Sequence, residues 1–182
     1  RISPAIMSYH GIQYQSMAPE VMDAEQLAWL QSHLWILSGL YGCVRPFHAV
    51  EPYRLEMGAK LAVDDARDLY AFWGDKLARA TAPAGSNTTI VNLASVEYAK
   101  AVLPHLADDA TAVTCLFGEG IRNGKPIQRS TASKKARGSM VRWMAENKLE
   151  DASELTAFNI GYRHIPELSD KNTLVFMNAQ AQ

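Results

Sequence analysis

Thr88-Thr89-Ile90-Val91-Asn92-Leu93 is β-branched over most of its length and reads as a strand buried on both faces. Such a strand needs covering layers, and the chain offers helices to supply them. Asp23 to Ser38 carries an apolar stripe at Ala24, Leu27, Leu30, Leu34 and Leu37, with Asp23 placed to accept from the free first-turn amides. Asp68 to Ala80 reads as a second helix stopped near Pro83, and Ser95 opens a short one that stops at Pro104. Thr131 to Lys148 is a long helix, and Ala152 to Phe158 a shorter one. Further strands are expected at Ala5 to Tyr9, around Arg54 to Met57, at Thr111 to Phe117 and at Thr173 to Met177. Asn123-Gly124 supplies the two positive φ angles of a tight hairpin turn. The expected class is α/β (mixed α+β): a single domain over residues 1–182, with a mixed sheet and flanking helices.

The 182 residues suit one domain, and no apolar run approaches the ~20 residues of a membrane span. Cys43 and Cys115 both sit among apolar neighbours, so a disulfide scaffold is not expected and a reducing compartment fits. His10, His33, His48, His105 and His164 show no ligand-like pairing, and no metal site or cofactor is expected. Gly118-Glu119-Gly120 resembles a phosphate loop only superficially, because it runs into a hairpin and not a helix.

Net charge is −1, yet the charges are unevenly placed. Arg122, Lys125, Arg129, Lys134, Lys135, Arg137 and Arg142 hold seven of the 18 basic residues, and no Asp or Glu lies between Glu119 and Glu146. At 100° per residue, Ala136, Met140, Trp143 and Met144 fall on one side of the long helix. Lys134, Lys135, Gly138 and Arg142 fall on the other. A glycine inside a helix costs about 1 kcal/mol against alanine, so Gly138 asks for a reason: close approach of another backbone, or of a phosphate. The segment reads as a solvated helix face beside a basic hairpin or, since a solvated face usually mixes signs, as the contact for a nucleic-acid backbone or a small phosphorylated molecule.

Leu37-Ser38-Gly39-Leu40-Tyr41-Gly42 places two glycines three apart. Such a turn can join two short helices and grip a phosphate with outward amides, as helix–hairpin–helix modules do; a helix C-cap followed by a turn explains it equally. Polar groups also interrupt apolar strings at Arg54 and Glu56, at Asp75, and at Asn92, Ser95 and Glu97. They are either structural partners or an active-site cluster, with Glu56, Asp75 or Glu97 as acid/base and Arg54 as an anion clamp.

These strings together resemble the YaaA family of bacterial peroxide-stress proteins. The matching pieces are Leu37 to Gly42 with Arg45-Pro46, Pro52 to Gly58, Asp68 to Tyr70 with Phe72 to Asp75, Asn92 to Ser95 with Glu97-Tyr98, and Lys134 to Gly138 followed by Glu146-Asn147. The resemblance implies an unusual α/β fold, a cytoplasmic location, and a role in surviving peroxide by limiting iron-driven damage. It also implies DNA binding through a positive cleft and a helix–hairpin–helix element. Carried over by match, Gly39, Gly42 and Arg45 belong to the hairpin, and Lys134, Lys135 and Arg137 to the cleft. Roughly the first quarter of the family pattern has no counterpart, which implies a fragment or a shortened member. The expected function is non-sequence-specific DNA binding in the peroxide response. The alternative is an enzyme acting on a phosphorylated or nucleotide-like molecule, with Arg54, Glu56, Asp75, Asn92 and Lys134 in one pocket.

Overall fold

The computed structural model describes residues 1–181. In chain order the elements are β1 (Ser3–Pro4), α1 (Ala5–Ser8), α2 (Ile12–Met17), α3 (Ala24–His33), β2 (Ile36–Ser38), β3 (Gly42–Val44) and β4 (Ala49–Val50). Next come α4 (Leu69–Trp73), α5 (Lys76–Thr81), β5 (Thr89–Asn92), α6 (Val96–Ala99) and β6 (Thr111–Gly118). The series closes with β7 (Ile121–Arg122), β8 (Lys125–Pro126), α7 (Ser130–Glu146), β9 (Tyr162–His164) and β10 (Thr173–Asn178). Among the described residues no helix is long and apolar enough to cross a membrane. The chain forms two compact units, one of Arg1–Ser8 with His33–Ala112, the other of Tyr9–Ser32 with the chain from Val113 on.

The second unit holds a mixed sheet, as expected. β10 runs parallel to β6, pairing Thr173 with Thr114 through Met177 with Gly118, and antiparallel to β9, pairing Phe176 with His164. Its core is aromatic. Phe117 stacks on Phe176 with centroids 5.5 Å apart, and Phe158 stands edge-on to both at 6.1 and 5.8 Å. The β7–β8 hairpin closes through Asn123 and Gly124 at φ 52° and 71°, the expected turn. Asp23 caps α3 as expected: Gln26 N donates to Asp23 Oδ1 at 2.8 Å, and Asp23 N donates to Gln26 Oε1 at 3.1 Å.

The first unit is built around buried Met57, Leu69, Leu77, Ala78, Ala101 and Val102. β1 pairs with β4, and β2 with β3, both antiparallel. Several expectations are corrected in this unit. Ala5 to Ser8 is a helical turn and not a strand; its amides at Ala5 and Ile6 donate to His48 O and Pro46 O at 2.8 and 2.9 Å. The helix expected to reach Ser38 ends at His33, and Ile36–Ser38 becomes a strand because β3 gives it a partner. No strand forms around Arg54 to Met57; the segment is irregular, with Met57 buried. The helix from Asp68 is divided at Gly74, whose φ of 51° leaves the helical region. β5 is half-exposed, with Thr89 open to solvent, and not buried on both faces.

Candidate nucleic-acid interface

α7 carries the largest group of sequence-selected residues. It runs from Ser130 to Glu146 and buries Ser133, Ala136, Gly138, Met140, Val141 and Ala145. Trp143 stands edge-on to Phe158 with centroids 5.6 Å apart, which fixes the helix rotation over the aromatic core. Gly138 is settled as a packing residue. A Cβ there would lie 2.0 Å from Gln13 O and 3.0 Å from Met17 N, so α2 and α7 touch backbone to backbone. The backbone for which Gly138 makes room is the protein's own, and its position on the helical wheel among the cations does not make it exposed.

The cations divide into three kinds. Lys134 and Lys135 are exposed, and among the described residues neither has an ion-pair partner. Arg142 donates through Nε to Glu146 Oε1 at 2.7 Å, an i,i+4 pair at the surface. Arg137 is half-buried, and its Nε meets no partner among the described residues. Burial lowers its pKa from the usual guanidinium value. Arg122 and Lys125 are exposed on the hairpin.

The glycine turn lies in the first unit and joins two strands, not two helices. Ser38 pairs with Gly42 across β2 and β3, so Gly39, Leu40 and Tyr41 form the connection of a β-hairpin. The period-two burial of Ile36, Ser38, Gly42 and Val44 explains the difference. The turn is also filled by the protein. Trp73 Nε1 donates to Gly39 O at 3.1 Å, and Tyr41 N donates to Ser38 Oγ at 3.0 Å. A Cβ on Gly39 would lie 2.7 Å from Leu55 O, and one on Gly42 2.8 Å from the Trp73 ring. Arg45 lies over the Trp35 ring at 3.8 Å and donates to Leu34 O at 3.2 Å. Burial lowers its pKa, opposed by Cys43.

The acid/base candidates share this unit, and two of them, Asp75 and Glu97, have local partners. Arg54 and Glu56 are exposed, alternating with half-buried Leu55 and buried Met57. Asp75 faces Arg79 at 3.2 Å. Asn92 is buried, and its Oδ1 accepts from Ala94 N at 3.1 Å. Glu97 Oε1 accepts from Gly58 N at 2.8 Å, and Glu97 O accepts from Tyr70 Oη at 2.8 Å. Glu97 therefore ties the segment bearing Arg54 and Glu56 to the helix that begins at Val96. Burial, then Glu97, then Asp68 push the Tyr70 hydroxyl above its ordinary pKa. Among the described residues no group of three or more His, Cys, Asp or Glu side chains could hold a metal ion.

One polar cluster escaped the sequence reading. Glu119 follows the carboxyl end of β6; Asn178 ends the neighbouring parallel strand β10, and Tyr162 begins β9. Glu119 accepts from Tyr162 Oη and, at 2.6 Å, from Asn178 Nδ2. Burial and then Glu119 raise the Tyr162 pKa. The only local signal was Gly118-Glu119-Gly120, which looks like a loop; the partners come from much later in the chain.

Comparison with known proteins places these features in a family. The family described as peroxide stress protein YaaA matches residues 1–168. A UPF0246 protein of Desulfitobacterium hafniense (strain Y51) is 46% identical over 181 residues, covering 99% of this chain and 71% of that protein. A UPF0246 protein of Pediococcus pentosaceus is 48% identical over 97% of this chain and 70% of its own length. One from Lachnoclostridium phytofermentans is 45% identical over 100% of this chain and 70% of its own length.

Proposed function

The chain belongs to the YaaA family of peroxide stress proteins, and on that premise we propose that it is a cytoplasmic, non-sequence-specific DNA-binding protein. α7 is its phosphate-contacting element, and shielding DNA from iron-driven damage is its place in the peroxide response. The observation that carries this reading is the exposure of Lys134 and Lys135 on a helix with no acid before Glu146. Their positions are held by burial of Met140 and Ala136 and by the Gly138 contact with α2. The attraction is local, since the whole chain carries a net charge of only −1.

Phosphate contacts release counterions, so affinity for duplex or junction DNA should fall steeply and log-linearly with salt. Lys134→Ala with Lys135→Ala should flatten that slope by about 2, at about 0.9 per lost phosphate contact, with the melting temperature unchanged. Undetectable or salt-independent affinity would end this reading.

A further inference from the structure

Two donors on α7 have no hydrogen-bonding partner among the described residues. Ser133 is 3% exposed, and its Oγ meets no hydrogen-bonding group among the described residues. A helical serine ordinarily returns its hydroxyl to the carbonyl one turn back. Here Arg129 O accepts the Ser133 amide at 2.8 Å but not the hydroxyl. Arg137 sits four residues on, with its buried Nε in the same condition. Residues four apart share a helix face, so the two donors lie on one strip.

The chemistry of a group that would meet them follows from the donors. A guanidinium nitrogen only donates, and a hydroxyl facing an acceptor donates as well. The group that satisfies both is an acceptor, and beside a half-buried guanidinium it is an anionic one. The setting agrees. Helix side chains lean toward the helix N-terminus, so Ser133 leans toward the positive end of α7. That end carries no acidic residue in its first turn, and its N-cap Arg129 makes no side-chain capping bond. Lys134, exposed, is adjacent.

Depth distinguishes this strip from the lysines. Phosphodiester oxygens of a duplex lie along a continuous surface and meet exposed cations. A donor as covered as Ser133 suits a group at the end of its molecule better than a diester within a chain. We infer that Ser133 and Arg137 form a seat for a terminal phosphoryl group, the phosphomonoester of a nucleic-acid end or of a small molecule. This rests on reading α7 as the phosphate-contacting helix, and it adds which phosphate the helix selects.

The test uses the full chain. Inorganic phosphate should raise the melting temperature by a few degrees over chloride at equal ionic strength. Ser133→Ala removes an unpaired buried hydroxyl, so without phosphate its melting temperature should equal or exceed that of the parent. The phosphate-induced rise should disappear. Arg137→Lys keeps the charge but loses Nε, and should lose the rise as well. A 5′-phosphorylated oligonucleotide should bind about tenfold more tightly than its 5′-hydroxyl twin, and Ser133→Ala should bring that ratio to one. Equal binding of the twins with no phosphate-induced rise overturns the inference, while salt-dependent affinity for both would leave the DNA reading standing. A rise that depends on Ser133, with no binding of either oligonucleotide, supports a small-molecule phosphomonoester and overturns the DNA reading instead. A Ser133→Ala chain that melts lower without phosphate also overturns the inference, because the hydroxyl then has a protein partner.

Discussion

The Gly39–Gly42 turn and α7 share one sequence signature, glycine close to basic residues, and they use it differently. At both places the glycine makes room for the protein's own backbone: Leu55 O beside Gly39, Gln13 O beside Gly138. They part at the cations. Arg45 is taken up by the Trp35 ring and Leu34 O, whereas Lys134 and Lys135 stand exposed with no acid to meet them. Glycine spacing therefore marks close packing, and the exposed charge without a counter-ion carries the proposed DNA contact.

Four substitutions or reactions probe that contrast. Gly138→Ala should be the most damaging, because no side-chain rotation relieves a Cβ placed 2.0 Å from Gln13 O. A loss on the order of 3 kcal/mol is expected in urea unfolding, even after the roughly 1 kcal/mol that alanine gains as a helix former. A loss below about 1 kcal/mol would show that α2 yields easily. Gly42→Ala should lose about 2 kcal/mol, combining a φ of 76° with overlap on the Trp73 ring. Arg45→Ala should lose about 1 kcal/mol through its stacking on Trp35 and leave the salt slope of DNA binding unchanged, the reverse of the Lys134/Lys135 double variant. A flatter slope in Arg45→Ala would return the turn to the interface. The smallest effect is chemical. Burial pushes the Cys115 thiol up to about 12 and also raises Cys43, outweighing the opposing pull of Arg45. Raised values disfavour the thiolate, so at pH 8 both thiols should react with an aromatic disulfide more slowly than a free cysteine, until denaturant exposes them.

What was legible in the sequence was local. The Asp23 cap, the Asn123-Gly124 turn, β6, β10 and the extent of α7 each depend on neighbours a few residues away, and each appears close to its expected position. Most failures came from partners outside the segment being read. Leu34 and Leu37 continue a helical stripe, and only pairing with Val44 and Cys43 turns Ile36–Ser38 into a strand. The helical wheel put Gly138 among the cations because it does not include α2. The five polar candidates of the first unit carry no sequence mark that separates Glu97, tied to Gly58, from Asp75, tied to Arg79. The burial of Ser133 without a hydrogen-bonding partner among the described residues depends on how α7 packs, which its neighbours in sequence do not encode.

The nesting of the two units bears on how the chain folds. Trp29 Nε1 donates to Leu149 O across 120 residues, and α2 packs on α7 across a comparable span, while His33–Ala112 folds within its own unit in between. Entropy charges little for such a span, about 0.6 kcal/mol for each doubling of an open loop. The rate is another matter, since contacts this distant form slowly. Once His33–Ala112 has folded, its ends are held at a fixed separation and the loop is effectively shortened. The inserted unit would then serve as a folding clamp, so that mutations in the Met57–Leu77 core slow the ordering of α7.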